Sequence, residues 1–155
     1  MKEDYITYLR SFTGKNKVIM VVAGVLIFDE ENRLLLELRS DNQKWGHPGG
    51  YMELGETIEE TAKREIFEET GLTLGEVEIF GIYSGKKQER ILQNGDEVSL
   101  VKIMFTCKEF SGQLRKSEES LQLKFFPLDK LPDIWPAQKA VFKDLLSGAS
   151  RPIIK

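Results

Sequence analysis

The sequence predicts an α/β fold in which a mixed central sheet is flanked by helices. Runs of apolar and β-branched residues, which are typical of strands, recur along most of the chain. Amphipathic segments, which are typical of helices, occur near its start, in its middle and near its end. The two kinds of segment do not follow a regular βαβ repeat, and this favours a mixed sheet. With 155 residues, the chain suits one domain, residues 1–155.

Residues 1–16 are interpreted as a helical extension of that domain. The stretch "EDYITYLRSF" begins at residue 3 and places Tyr5, Tyr8 and Phe12 on one side of a short helix. We expect this aromatic side to form a dimer contact or a lid.

Strands are expected after this extension. The run "VIMVVAGVLIF" is rich in β-branched residues and too short to cross a bilayer, so residues 18–29 are interpreted as a central strand. A turn at residues 29–32 leads to a returning strand at 33–39. The segment "SDNQKWGHPGG", residues 40–50, is expected to be a loop because it contains a proline and several glycines.

Residues 57–70 are the clearest helix in the sequence. Thr57 can cap the start, and Glu60 lies three positions on, as in a capping box. Gly71 is suited to the position just past the helix end, where a left-handed backbone conformation is common.

The second half of the chain predicts three more strands and a last helix. Strands are expected at about 76–84 and 97–108, and "QNGDE" between them carries the Asn-Gly signal of a hairpin. The alternating stretch "LQLKFFPL", residues 121–128, is interpreted as another strand. Pro136 opens the last helix, and Gly148 lies near its end.

Composition and charge limit the function classes. The net charge is −3 with acids and bases interleaved, so strong non-specific binding to nucleic acid or to an anionic membrane is not expected. A small anionic ligand held by a few local groups is compatible with this balance. The single cysteine, Cys107, excludes an intrachain disulfide and fits a reducing compartment. We therefore expect a cytoplasmic protein with no membrane partner.

Three glutamates crowd one side of the clearest helix. At about 100° per residue, Glu65, Glu68 and Glu69 fall within a sector of about 100°, and like charges at these spacings repel. The glycine-rich stretch "PGGYMELGE" lies just upstream and permits close approach of backbone to a ligand. Carboxylate and carbonyl oxygens select Mg²⁺, Mn²⁺ or Ca²⁺ over zinc, and a bound cation would relieve the repulsion. The alternative is a solvated charged face that Lys63 and Arg64 partly neutralise.

The wider spacing resembles a known family. Residues 50–72, "GYMELGETIEETAKREIFEETGL", match every specified position of the Nudix box, the signature of the Nudix (MutT-like) hydrolases. The segments "LLLELRS", "WGHPGG" and "FFPLDKLP" are also similar to the surroundings of that box. The resemblance covers roughly residues 18–146, and the segment before it looks like an addition.

The resemblance implies a fold, a reaction and a metal. Nudix proteins share an α/β/α sandwich in which the box forms a loop–helix–loop, and they usually hydrolyse a diphosphate bond in a nucleoside diphosphate derivative with Mg²⁺ or Mn²⁺. Carried onto this chain, the metal ligands are the carboxylates of Glu65, Glu68 and Glu69 and the carbonyl of Gly49. Glu56 and Arg64 resemble a supporting pair that orients the ligating helix.

Other roles stay open within the resemblance. The general base varies in the family, and the candidates here are Glu65, Glu69, and the later acids Glu118 and Glu119. Arg39 lies where many relatives place an arginine near the substrate phosphate. Other side chains have a structural alternative beside a functional one. We expect Trp45 to line the cleft or pack the loop, and His47 to be structural. Contact with phosphate is open to Lys86, Lys87 and Arg90, which flank a predicted hairpin, but we expect them to be solvated.

The substrate is not identified by the box. ADP-ribose hydrolases of the family often have a proline some fifteen residues beyond it, and no proline occurs here between Pro48 and Pro127. A nucleoside triphosphate, a modified nucleotide and a diphosphate-linked sugar therefore stay open as small-molecule partners. Two alternatives are a non-catalytic nucleotide sensor and an RNA 5′-end pyrophosphohydrolase, although the acidic charge balance makes a nucleic-acid partner unlikely. A homodimer is one expectation, since many relatives are homodimers.

Overall fold

The computed structural model describes residues 4–155. Within them, the α-helices are α1 Tyr5–Thr13, α2 Ile58–Thr70 and α3 Lys139–Ser147. The strands are β1 Val18–Ile27, β2 Leu34–Arg39, β3 Trp45–Gly46, β4 Gly49–Tyr51, β5 Thr73–Leu74, β6 Val77–Tyr83, β7 Glu89–Ile91, β8 Glu97–Cys107, β9 Phe110–Ser111, β10 Ser120–Phe126 and β11 Ile153–Ile154. Short 3-10 turns lie at Lys86–Gln88, Leu128–Lys130 and Pro136–Gln138.

The larger sheet is mixed, as predicted. Its strand order is β11-β6-β8-β1-β4, and β7 also pairs with β8. The central pair, β1 and β8, is parallel, whereas β4 and β6 run antiparallel to their neighbours. A second, antiparallel sheet has the order β10-β2-β3, and β5 pairs with β9 alone.

Helices cover both faces of the larger sheet. Along β1, Val25 and Ile27 pack in one buried cluster, which contains Ala62 of α2. Leu26, which lies between them, packs in a second cluster with Phe142 of α3. Because adjacent residues of a strand point to opposite faces, α2 and α3 lie on opposite sides of the sheet. This arrangement confirms the predicted α/β/α sandwich.

Helix α2 has both of its predicted caps. The Thr57 hydroxyl accepts a hydrogen bond from the Glu60 N–H at 3.1 Å, and the Glu60 carboxylate accepts one from the Thr57 N–H at 3.3 Å. Gly71 has φ 80°, and its N–H donates to the Phe67 carbonyl at 2.9 Å. These contacts satisfy backbone groups that a helix end leaves without partners, so the position of α2 is defined at both ends.

The structure differs from the prediction in several short segments, and the short strands β5, β9 and β11 were not expected. The expected loop at residues 40–50 contains β3 and β4, because Gly49 pairs with Gly24 of β1. The Asn-Gly turn joins β7 to β8 rather than β6 to β8, and the Leu92 N–H donates to the Asp96 carbonyl across it at 2.8 Å. Pro136 opens a 3-10 turn, and α3 begins only at Lys139.

Helix α1 is tied to the rest of the molecule. The Tyr5 N–H donates to the Glu53 carboxylate at 2.9 Å, and the Arg10 guanidinium donates to the Glu97 carbonyl at 2.7 Å. Tyr8 and Phe12 expose 47% and 75% of their surface. The first residue of the predicted helix, at position 3, lies outside the described residues. No helix between residues 4 and 155 is long and apolar enough to cross a membrane.

Candidate active site

A cavity of about 760 Å³ opens between α2, the central strands and the start of α1. One of its walls carries acids, namely Glu65, Glu68, Glu69 and Glu119. Its other walls include Arg39, Arg90, Lys102, Trp135, Gln138 and Ile6. The structure thus brings the box glutamates together with side chains from β2, β7, β8 and α1.

The amphipathic pattern of α2 positions the three glutamates. Ala62 and Ile66 are fully buried against the sheet, which turns the neighbouring sector of the helix to the cavity. Glu69 is 6% exposed, while the Glu65 and Glu68 side chains are 15% and 56% exposed. The exposure of the carboxylates therefore increases along the acidic wall, from the buried Glu69 to the solvated Glu68.

The two glycines of β4 allow that wall to form. A Cβ atom at Gly50 would overlap the carboxylate of Glu65 and displace it from its present position, and a Cβ atom at Gly49 would overlap the backbone of β1. The Gly49 N–H donates to the Glu69 carboxylate at 3.1 Å. These contacts give the glycines of "PGGYMELGE" a physical role beside the glutamates.

Arg64 binds several acids at once. Its guanidinium donates two hydrogen bonds to Glu56, at 2.6 and 3.0 Å, and others to Glu65 at 2.9 Å and Glu68 at 3.2 Å. It also donates to the Tyr51 carbonyl of β4 at 2.9 Å. The Arg64 hydrogen bonds are the main reason why the pKa of Glu56 falls to about 2. The predicted contact between Glu56 and Arg64 is thus present, and it fastens α2 to β4.

Glu69 and Glu37 do not receive hydrogen bonds from Arg64. Glu37, on β2, is 2% exposed and accepts a hydrogen bond from the Ser120 hydroxyl at 2.8 Å. Burial raises the pKa of Glu37 to about 7. Burial, and then the charges of Glu37 and Glu65, raise the pKa of Glu69 well above its usual range. Two buried acids thus lie close together, and Arg39, whose guanidinium is 3.7 Å from the Glu37 carboxylate, offsets their charge only in part.

This donor set fits a divalent cation. Its oxygens are hard ligands of the kind that Mg²⁺ and Mn²⁺ prefer, and the charge on Glu69 is not balanced by a base in direct contact. As the side chains stand, no three acidic, histidine or cysteine groups among residues 4–155 converge on a single point. Glu65 and Glu68 are held by Arg64 instead. Binding of a cation would therefore require these two carboxylates to turn from Arg64 towards Glu69.

The predicted substrate contacts are placed unequally. Arg39 lines the cavity, where its guanidinium pairs with Asp41 at 2.9 Å and lies 5.0 Å from the Trp135 ring. Trp45, the predicted cleft residue, packs instead against Phe126, with ring centroids 4.9 Å apart. The structure therefore places Trp135 on the cavity and Trp45 in the core, the structural alternative for that residue.

Glu118 and Glu119 also differ in their position relative to the cavity. Glu119 lines the cavity from the segment before β10. Glu118 contributes its carbonyl, which accepts from the Ser40 hydroxyl at 3.3 Å. Of the two, Glu119 is thus the acid that the fold brings to the site.

Two cavity side chains and one buried acid beside Glu69 carried little or no functional signal in the sequence. Arg90 was expected to be solvated, and this was wrong: it donates to the Ala137 carbonyl at 3.0 Å and lines the cavity. Lys102 is 5% exposed and lines the same cavity from β8. Glu37 could have been noticed, because a lone acid in "LLLELR" interrupts an otherwise apolar strand. Lys86 and Lys87 are exposed, as expected.

His47 is buried beside the cavity. Its Nδ1 lies 3.1 Å from the Pro48 carbonyl, and its ring stacks on Phe142 with centroids 6.2 Å apart. Burial lowers the pKa of His47 to about 3, so the ring is neutral at physiological pH. Its Nε2 has no partner within the described part of the chain. These contacts agree with the structural role expected for it.

Comparison with known proteins identifies relatives of this arrangement. Residues 18–145 match the family model of the NUDIX domain, so α1 lies outside the match. An ADP-ribose pyrophosphatase of Methanocaldococcus jannaschii is 32% identical over 77% of this chain and 69% of that protein. A putative 8-oxo-dGTP diphosphatase of Bacillus subtilis is 40% identical over 82% of this chain and 80% of that protein. The crystal structure of the MutT protein of Bacillus halodurans is similar with a TM-score of 0.67 and 32% identity, covering 82% of each chain.

Proposed function

The chain belongs to the Nudix family of hydrolases, and we propose that it cleaves a diphosphate bond of a nucleotide or nucleoside diphosphate derivative with Mg²⁺ or Mn²⁺. The observation that carries this proposal is the buried position of the Glu69 carboxyl group beside Glu65 and Glu37, where burial and these two acids raise its pKa well above the usual range. Buried acids without a counter-charge are costly unless they serve a ligand. A cavity of about 760 Å³ beside them is large enough for a nucleotide.

The proposed metal ligands are the carboxylates of Glu65, Glu68 and Glu69 and the carbonyl of Gly49. A divalent cation, when bound, neutralises phosphate oxygens and acidifies water. Arg64 and Glu56 hold α2 against β4, so that the ligating side chains start from a fixed backbone. Arg39 supplies a planar cation at the cavity for a substrate phosphate.

A carboxylate must accept the proton of the attacking water. Glu65, Glu69 and Glu119 all line the cavity and are the candidates for this role. Glu119 differs from the other two in being exposed and in coming from outside α2. A pH–rate profile that loses its acidic limb only in Glu119→Gln would assign the base to Glu119, and loss of that limb only in a box variant would assign it to α2.

The substrate is best sought with a panel of nucleotides. The relatives act, by their names, on ADP-ribose and on 8-oxo-dGTP, and the sequence lacks the proline often found in ADP-ribose hydrolases. Turnover and products should be measured on ADP-ribose, nucleoside triphosphates, oxidised nucleotides, nucleotide sugars and triphosphorylated RNA, with Mg²⁺ and Mn²⁺ separately. We expect metal-dependent release of a nucleoside monophosphate from a free nucleotide.

Two results would replace this proposal. Tight binding of one nucleotide with no turnover under either metal would identify a non-catalytic sensor. Faster turnover of triphosphorylated RNA than of any free nucleotide would identify an RNA 5′-end pyrophosphohydrolase.

Assembly and location stay predictions. The exposed rings of Tyr8 and Phe12 motivate the homodimer, which sedimentation at micromolar concentration would detect. The prediction of a cytoplasmic location rests on the location that is common in the family and on the free, buried Cys107.

A further inference from the structure

Lys102 has an unusual environment for a lysine. Its side chain lies on β8 at the floor of the cavity and is 5% exposed. Within residues 4–155, no carboxylate pairs with its ammonium, and burial together with the nearby charge of Arg90 lowers the pKa of Lys102 to about 8. The group is therefore mostly a cation at neutral pH, and a buried cation without a partner is unfavourable.

A second cation reaches the same part of the cavity. Arg90 of β7 lines it, and its guanidinium donates only to uncharged acceptors, namely the carbonyls of Lys87, Glu89 and Ala137 and the side-chain oxygen of Gln88. The acids at this end are already engaged with α1. Asp4 accepts from the Thr7 N–H at 2.7 Å, and Glu53 accepts from the Tyr5 N–H at 2.9 Å.

The cavity thus has two electrostatically different ends. At one end the acids of α2 dominate, with Arg64 as the base paired to Glu65 and Glu68, and at the other Lys102 and Arg90 line the cavity with no carboxylate paired to them among residues 4–155. A neutral carbonyl group would balance neither cation, whereas a phosphate dianion would balance both.

We propose that Lys102 and Arg90 form a subsite for a phosphate group of the substrate that is additional to the diphosphate held at the α2 carboxylates. This proposal rests on the proposed function for the location of the diphosphate. The additional phosphate is either the end of a longer polyphosphate chain or an ester on a ribose hydroxyl. In both cases the subsite selects substrates with more than one phosphate-bearing position or a chain longer than two phosphates.

Calorimetric titration with two ligand pairs tests the subsite. The first pair is α,β-methylene-ATP and α,β-methylene-ADP with Mg²⁺, which differ in a chain-terminal phosphate. The second pair is adenosine 3′,5′-bisphosphate and AMP, which differ in a ribose phosphate. In one pair, the ligand with the extra phosphate should bind roughly tenfold tighter or better, as expected for a charge-assisted contact, and the pair that shows this identifies the source.

Matched variants assign the preference to the lysine. Lys102→Met keeps the length of the side chain, removes the charge and should abolish the preference. Lys102→Arg should retain most of it, and Lys108→Met, at an exposed position outside the cavity, should leave it unchanged. Arg90→Gln should reduce the preference independently, which keeps the test open if Lys102→Met does not fold.

Absence of any preference in both pairs, or a preference that survives in folded Lys102→Met, would overturn the subsite. These outcomes are distinct from failure of the proposed function. A protein without hydrolytic activity can still show the preference, and an active enzyme can lack it.

Discussion

Glu56 and Glu37 both lie near the box glutamates, but the protein stabilises the charged form of Glu56 and destabilises that of Glu37. Glu56 accepts four hydrogen bonds, two of them from Arg64, and its pKa is about 2. Glu37 is more deeply buried, has the Ser120 hydroxyl as its hydrogen-bond donor, and its pKa is about 7. The first acid is satisfied by its own protein and stabilises the fold. The second has Arg39 at 3.7 Å as a partly compensating base and, like Glu69 beside it, is an acid whose charged form burial disfavours. A divalent cation would stabilise the charged form of such acids.

The largest effect should come from the acids that we propose as metal ligands. Glu69→Gln or Glu68→Gln should lower turnover by roughly two to four orders of magnitude, because a proposed metal ligand or base is lost. Little unfolding is expected, since the amide keeps the shape of the side chain. Steady-state kinetics with circular dichroism would measure both properties.

Glu59→Gln is the matched control on the same helix, because Glu59 is exposed and lies outside the cavity. Wild-type rates in Glu69→Gln or Glu68→Gln would contradict the assignment of the changed residue.

A smaller loss of turnover is expected when Arg64, the base that balances Glu56, is changed. Arg64→Lys keeps the charge but loses the planar fork that holds Glu56, Glu65 and the Tyr51 carbonyl together. Turnover should fall by about ten- to a hundredfold, the usual range for residues that orient ligands. Kinetics at saturating metal would measure it, with Lys63→Arg as the control, and an unchanged rate would show that Arg64 does not orient the site.

The same chemical change should have opposite effects on stability at the two acids. Glu56→Gln should lower the free energy of unfolding by about 2 kcal/mol, because Arg64 loses its charged partner. Glu37→Gln should raise it by about 1 kcal/mol, because a buried and poorly balanced charge is removed. Urea unfolding at pH 7 in EDTA would measure both changes, and two changes of the same sign would refute the contrast.

The stabilising effect of Glu56 should depend on pH. Its pKa is lower in the folded protein, about 2, than the ordinary value of 4.5. Its contribution is therefore fully present above about pH 4.5 and is lost as the pH falls towards 2. Urea unfolding of wild type and Glu56→Gln at pH 7 and pH 3.5 should give a smaller difference at the lower pH, and a constant difference would show that ionisation of Glu56 is not the cause.

The sequence predicted those parts of the molecule that local spacing encodes. Helix α2, its capping box, its terminal Gly71 and the glutamate sector follow from residues within one continuous stretch. Lys102 was not identified and Arg90 was expected to be solvated, since both approach the site only through the pairing of β7 and β8 around a turn. The two tryptophans could not be distinguished because their positions depend on how separate loops pack. Strands β3 and β4 are too short, and β4 is too rich in glycine, to show a period.

Helix α1 contributes to the shape of the cavity, although it lies outside the part of the chain that carries the catalytic box. It supplies Ile6 to the cavity wall, yet it precedes the region that matches the NUDIX domain. Changes in α1 can therefore alter the shape of the cavity while the carboxylates of α2 stay intact. Relatives in which α1 is different or absent are therefore expected to differ in the substrates that they accept before they differ in the reaction that they catalyse.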